Sequence, residues 1–270
     1  MALATTDFAR GAAVAQEGFQ SASSPVVASF ERDFRPGARL NGQRLLDAYS
    51  VVDLIDDAGT ALLVYNGALN TFSTAAGRRS IANGIKANVA RATRGALRVK
   101  AVTFGRVTLI QVAQGAFRET IRLHTNRGTL DVGVVVVLLD RAIGVVELGG
   151  YPRKHLVSAT EVAAARKLAQ HLQAALQIRN VTPPAIAGTA RQGATLTADR
   201  GRWVGGPTSF TYQWNHCDAT GANCAPIAGA VVPTYVPGTA DAGMRITVTV
   251  TATNSVSSKP VTSAPTNPVT

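Results

Sequence analysis

Long apolar runs are missing from this chain of 270 residues. The longest, Val132 to Leu139, has the length of a strand and is interrupted by Gly133, whereas a helix that crosses a bilayer needs about 20 apolar residues. No membrane span is therefore expected. The start, Met1-Ala2-Leu3-Ala4, lacks the basic and apolar regions of a secretory signal. Ala2-Leu3-Ala4 is still a small-x-small triplet of the kind that precedes signal cleavage. The expectation is a truncated or processed secretory precursor.

Charge is also scarce, at 16% of residues, and lysine scarcer still, with 5 Lys against 22 Arg. The net charge of +11 raises the question of nucleic acid, because basic side chains that neutralise phosphates drive that binding. The arginine excess, beside abundant Ala, Gly and Val, instead resembles GC-rich coding bias. The charges are scattered too: the surplus is +9 over residues 1–180 and +2 beyond. No groove-reading motif or aromatic platform accompanies them, so a nucleic-acid partner is not expected.

Chemistry-bearing residues are few. The four histidines, His124, His155, His171 and His216, form no His-Glu-x-x-His, and no Gly-x-Ser-x-Gly elbow exists. Asp56-Asp57 stands at a helix start, where acids cap the helix and oppose its dipole. Gly149-Gly150 lacks phosphate-loop spacing, and Gly133 and Gly144 interrupt strands in the manner of bulges. No catalytic residue, cofactor or metal site is expected.

Only two cysteines occur, and they are informative. Cys217 and Cys224 bracket a turn directly after Tyr212-Gln213-Trp214. With His216 they offer three metal ligands where structural zinc takes four. A hairpin disulfide across Asp218–Asn223 is expected instead, contributing about 2.5 kcal/mol for so small a loop. It points to an oxidising compartment, and so to an extracellular or cell-surface location.

What the chain does contain divides in two. A composition change at Ile178-Arg179-Asn180-Val181-Thr182-Pro183-Pro184, with a double proline that no helix continues through, places one domain at 1–178, a linker at 179–184 and a second domain at 185–270. In the first, strands are expected at Ala13–Gln20, Val26–Phe34 and Leu45–Ile55. A helix then presents Leu62, Tyr65 and Leu69 on one face, and Ser80–Ala92 is a second helix with Ile81, Ile85 and Val89 at i, i+4 and i+8. From Leu97 to Tyr151 the period becomes two, with a hairpin of Phe117–Thr125 and Thr129–Leu139 about Asn126-Arg127-Gly128. A closing helix begins with Ser158-Ala159-Thr160-Glu161, which reads as a capping box. Strands in adjacent runs with packed helices mean α+β, an antiparallel sheet with flanking helices.

The second domain carries short strands separated by turn signals. Phe210, Tyr212 and Trp214 share one face. Met244–Thr253 alternates throughout, placing Ile246, Val248, Val250 and Ala252 on one side and threonines on the other. The Thr/Pro-rich Ser263–Thr270 is expected as a linker.

Residues 6–177 resemble the secreted PsbP-like proteins and their bacterial lipoprotein relatives, in element order and in Gly18-Phe19 and Phe30-Glu31-Arg32-Asp33-Phe34. That resemblance implies a non-catalytic accessory or envelope role. Pro184–Val269 resembles the Ig-like repeat of secreted, often actinobacterial, proteins. The residues that carry it are Gly193-Ala194-Thr195-Leu196, Tyr212-Gln213-Trp214, the two cysteines, Asp241-Ala242-Gly243 and Ala252-Thr253-Asn254-Ser255. It implies an all-β sandwich that serves as a spacer or adhesive module. The expected function is a non-enzymatic secreted or surface protein with a binding, adhesion or accessory role. The alternative is a small-ligand-binding module, which a pocket with convergent polar groups in residues 1–178 would favour. Arg78, Arg79, Lys86, Arg91 and Arg94 form the candidate surface for an anionic envelope polymer or polysaccharide, with another protein as the further possible partner.

Overall fold

A computed structural model of the chain describes residues 2–8, 12–150 and 155–270. Met1 and Tyr151, at the ends of two segments read above, lie outside them. Two compact units result, Met1–Ala174 and Ala175–Thr270.

The first unit is α+β. Its strands are β1 (Val14–Gln20), β2 (Val26–Phe34), β3 (Arg39–Leu40) and β4 (Gln43–Ile55). Helices α1 (Ala58–Ser73) and α2 (Ala75–Ala92) follow, then β5 (Val99–Phe104), β6 (Thr108–Leu109), β7 (Gly115–Thr125), β8 (Gly128–Leu139) and β9 (Ala142–Gly150), and α3 (Ser158–Leu176) comes last. The main sheet is antiparallel in the order β1-β2-β4-β9-β8-β7-β5, with β3 on β4 and β6 on β7. Because successive side chains on a strand point to opposite faces, β8 supplies both cores. Val134 and Val136 pack with Tyr65 of α1 and with Phe117, while Val135 and Val137, both fully buried, point the other way.

Local chemistry sets the helix starts. The Asp57 carboxylate accepts from the Thr60 amide at 2.9 Å and from its hydroxyl at 2.7 Å, as expected of a capping acid. Helix α2 begins earlier than Ser80. Thr74 caps it by accepting from the Gly77 amide at 3.2 Å, and a Cβ on Gly77 would collide with the Thr71 carbonyl, so only glycine allows this tight helix–helix corner. The inward face of α1 also differs from expectation. Ala61 and Tyr65 are buried and Phe72 packs into the core, but Leu62 is 49% exposed. Tyr65 and Leu69 meet the core as expected, together with Ala61, Ala68 and Phe72, and Leu62 alone sits one residue off the stripe.

Gly133 and Gly144 are not bulges. Both lie in unbroken register with their neighbours, and both leave room for side chains from the C-terminal part of the unit. A Cβ on Gly144 would come within 2.6 Å of Leu168 Cδ2, and one on Gly133 within 2.7 Å of Glu161 Oε1. Glu161 is not the partner in a capping box either. Its carboxylate turns to the sheet, accepting from Arg118 Nη1 and from Thr120 Oγ1, each at 2.7 Å.

The second unit contains β10 (Arg179–Thr182), β11 (Ala185–Ala187), β12 (Leu196–Asp199), β13 (Arg202–Val204) and β14 (Ser209–Cys217). After these come β15 (Ala225–Pro226), β16 (Thr234–Tyr235), β17 (Arg245–Thr253) and β18 (Ser258–Thr262). A three-stranded sheet β11-β12-β16 and a four-stranded sheet β15-β14-β17-β18 share one core, in which Leu196, Trp214, Ile246, Val248 and Val250 are fully buried. Two segments expected as linkers are structured. Arg179–Thr182 is β10, paired with β13, and within Ser263–Thr270 the buried Val269 donates its amide to the Met244 carbonyl at 2.8 Å.

Cys217 and Cys224 form the expected disulfide. Inside its loop the Asp218 side chain accepts from the amides of Thr220 and Ala222 and from Asn223 Nδ2. The Thr220 hydroxyl leads these donors in holding the Asp218 carboxyl down, to about 2.

Candidate functional site

Helix α2 carries an apolar stripe, yet none of its residues is buried. Ile81, Ile85 and Val89 remain half-exposed, although Ile81 and Ile85 touch the core that Phe117, Ile121 and Val134 build. Between α2 and the strands runs a groove of about 300 Å3, walled by Phe72, Ile81, Ile85 and Val89 on the helical side and by Ile121, Leu123, Val132 and Val134 on the sheet side. Asn88 and Glu147 are its polar members. This volume is at the lower end of small-molecule sites, which are typically apolar with a few placed polar groups.

Strand register explains why Glu147 is there. One row of paired residues crosses five strands: Glu119 on β7, Val134 on β8, Glu147 on β9, Tyr49 on β4 and Asp33 on β2. Glu31 and Asp47 stand two residues from Asp33 and Tyr49 on their own strands, and so on the same face. The outcome is an acidic patch around Tyr49 that adjoins the open side of the groove. Each group bears its mark. Burial, with Asp47 adding to it, pushes the Glu147 carboxyl up. Burial followed by Asp47 and Glu31 does the same to Asp33. Burial and the Glu31 carboxylate push the Tyr49 hydroxyl well above its ordinary value. The ion pairs of Arg32, Arg78, Arg118, Arg122 and Lys167 go to other acids, Glu17, Glu119, Glu161, Asp131 and Asp7.

Glu119, at the other end of the row, is fully buried. Arg78 Nη2 lies 2.9 Å from its Oε1, and Oε2 has no partner. Burial outweighs the attraction of Arg78 and lifts this carboxyl to about 7. A folded-state value above the unfolded one stabilises the protein fully below the unfolded pKa, and that stability is lost as pH rises through the folded value. The first unit is therefore expected to lose up to about 3 kcal/mol from this group between about pH 4 and 7. Urea midpoints across that range check it: Glu119→Gln should flatten the slope, and an unchanged slope would contradict the assignment.

The candidate basic surface is only partly free. Arg78 is committed inward: besides Glu119, its Nε donates to the Phe72 carbonyl at 2.6 Å and its guanidinium lies 5.4 Å from the Phe104 ring centre. Arg79, Lys86, Arg91 and Arg94 are exposed. On a helix of 3.6 residues per turn, Arg79 and Lys86 share a face while Arg91 lies about 120° round from Arg79, so the five do not form one patch.

The histidines are engaged singly. His171 Nε2 is 2.8 Å from Asp7 Oδ2, His155 Nδ1 is 3.1 Å from Asp131, and His124 Nε2 is 3.2 Å from Thr103 Oγ1. Nε and Nδ of His216 have no cysteine thiol to join, since Cys217 is in the disulfide. Among the described residues no group of three or more His, Cys, Asp or Glu side chains is placed to hold a metal ion, and no helix is long and apolar enough to cross a membrane. In the second unit a hollow beside Arg200, Trp203 and Phe210 is covered on its aromatic side, because the Arg200 guanidinium lies 4.7 Å from the Phe210 ring centre. The sequence matches no protein-family model and no curated protein.

Glu147 is the residue that sequence patterns missed, while Glu161 was legible only as a helix-capping acid. Glu147 alternates with Val146 and Leu148 as any solvent-facing strand residue would. The half-exposed stripe of Ile81, Ile85 and Val89 was the one visible signal of the groove.

Proposed function

We propose that this chain is a non-enzymatic, exported binding protein whose first unit holds a small, largely apolar ligand in the groove between α2 and the sheet. The observation that carries this reading is the groove itself: an apolar stripe that a helix normally buries is left lining a hollow with polar groups at its edge. In this reading the first unit is a PsbP-like domain, which its antiparallel sheet with flanking helices suits. The second is an Ig-like sandwich acting as spacer or adhesion module, supported by two sheets around Trp214. The disulfide supports an extracellular or cell-surface setting. Arg79 and Lys86, exposed on one face of α2, are the surface through which an anionic envelope polymer, polysaccharide or another protein would be met.

A neutral environment-sensitive dye such as Nile red tests the groove. Its fluorescence should rise on mixing with the full chain, and Ile85→Trp, which fills the hollow from a half-exposed helix position, should raise the dissociation constant read from the titration at least about tenfold, equivalent to about 1.4 kcal/mol of lost affinity. An enhancement that survives Ile85→Trp would overturn the reading.

A further inference from the structure

The edge of the groove has a charge opposite to that of the protein as a whole. The chain has a net charge of +11 and only 16 acids, yet four of those acids, Glu31, Asp33, Asp47 and Glu147, gather around Tyr49 on one sheet face. Arg32, Arg78, Arg118, Arg122 and Lys167 form their ion pairs with other acids, Glu17, Glu119, Glu161, Asp131 and Asp7. We propose that the ligand is a cationic amphiphile, an alkyl or aryl amine whose apolar body fills the groove and whose ammonium lies against the Glu147 carboxylate. This rests on the groove being the binding site.

Desolvation drives the argument. Glu147 still reaches solvent, although its place in the groove wall already desolvates the carboxyl enough to push it up, so an occupant that fills the groove takes away the water that remains. A buried carboxylate is tolerated only when it is paired, hydrogen-bonded or protonated. An alcohol or hydrocarbon leaves that cost unmet, and a carboxylic acid adds repulsion from Asp47 and Glu147 together. An ammonium meets the charge and supplies up to three donors, of the charge-assisted type that is about twice as strong as neutral ones. Asn88, the other polar wall residue, can orient the same head group without adding charge. Burial first, and repulsion from neighbouring carboxylates second, push Glu147 and Asp33 up, and an ammonium beside Glu147 reduces the second of these.

The test compares octylamine, octanol and octanoate, which share one apolar chain, as displacers of Nile red from the full protein at about pH 8, where an alkyl ammonium is still protonated. Octylamine should displace the dye at a concentration about tenfold or more below that of octanol, with octanoate the weakest. Glu147→Gln, with an unchanged melting profile as its control, should bring octylamine and octanol to one level, because the amine loses its counter-charge and the alcohol no longer strips water from a carboxylate. Equal displacement by amine and alcohol, or an amine preference that survives Glu147→Gln, would overturn the cationic ligand while leaving the groove as the site. Absence of dye binding, together with no heat of octylamine binding by calorimetry, would overturn both.

Discussion

Arg118→Met is expected to destabilise the first unit by about 3–5 kcal/mol, because it leaves a buried carboxylate without its cation. Glu161 is fully buried, with Arg118 Nη1 at 2.7 Å from one oxygen and Thr120 Oγ1 at 2.7 Å from the other. Even with both partners, burial already pushes its carboxyl up, Thr120 and Arg118 pulling against it. Removing Arg118 raises it further, and Glu161 escapes only by taking a proton. The double change Arg118→Met with Glu161→Leu should recover most of the loss, since well-packed apolar replacements of buried pairs are often neutral or stabilising. Urea midpoints of the single and double variants decide it. A single-variant loss below about 1 kcal/mol would place the pair with ordinary surface bridges instead.

That pair also shows where sequence patterns stop being informative. Ser158-x-x-Glu161 is the same four residues whether the glutamate folds back on the helix or reaches across to a strand. What decides is Gly133, which leaves the space, and Arg118 and Thr120, which supply the donors, and these are 28, 43 and 41 residues away along the chain. Gly133 and Gly144 were ambiguous for the same reason: a missing Cβ in a strand suits a bulge and a close helix equally well. By contrast, the strands β2, β4, β7, β8 and β17 were legible because a two-residue period needs no distant information. The face of α1 was legible at Tyr65 and Leu69 but not at Leu62, since Ala61 is small enough to be overlooked beside it.

The site was less legible than the fold. The stripe Ile81, Ile85 and Val89 could be read directly, but its incomplete burial could not, because that depends on the corner at Gly77 and on how far α2 stands from β7 and β8. The acidic row needed four strand registers at once, which join residues 33, 49, 147 and 119. Composition even pointed the other way. The excess of arginine points to Arg78, whose role is to hold Glu119, while the charges that gather around Tyr49 on the sheet face are acids.

In the second unit the largest expected effect lies in the core and not in the staple. Trp214→Ala should cost about 3–5 kcal/mol, more than the roughly 2.5 kcal/mol that the loop-entropy estimate assigns to the disulfide. Trp214 is fully buried, stacks on Tyr235 with ring centres 5.6 Å apart, and donates Nε1–H to the Val232 carbonyl at 2.8 Å. Its removal empties the space between the two sheets, and the walls that remain come from both of them: Leu196 on β12, Val248 and Val250 on β17. The disulfide cannot compensate, because its loop spans only seven residues at one end of β14 and restricts the unfolded chain equally in both proteins. Tyr235 is itself anchored, its hydroxyl donating to the buried Asp241 at 2.6 Å, which limits how far the ring can move into the cavity. Amide hydrogen exchange along β17 reports the outcome: protection should fall further in Trp214→Ala than in the reduced wild-type protein. The reverse order would mean that the staple, and not apolar packing, holds this unit together.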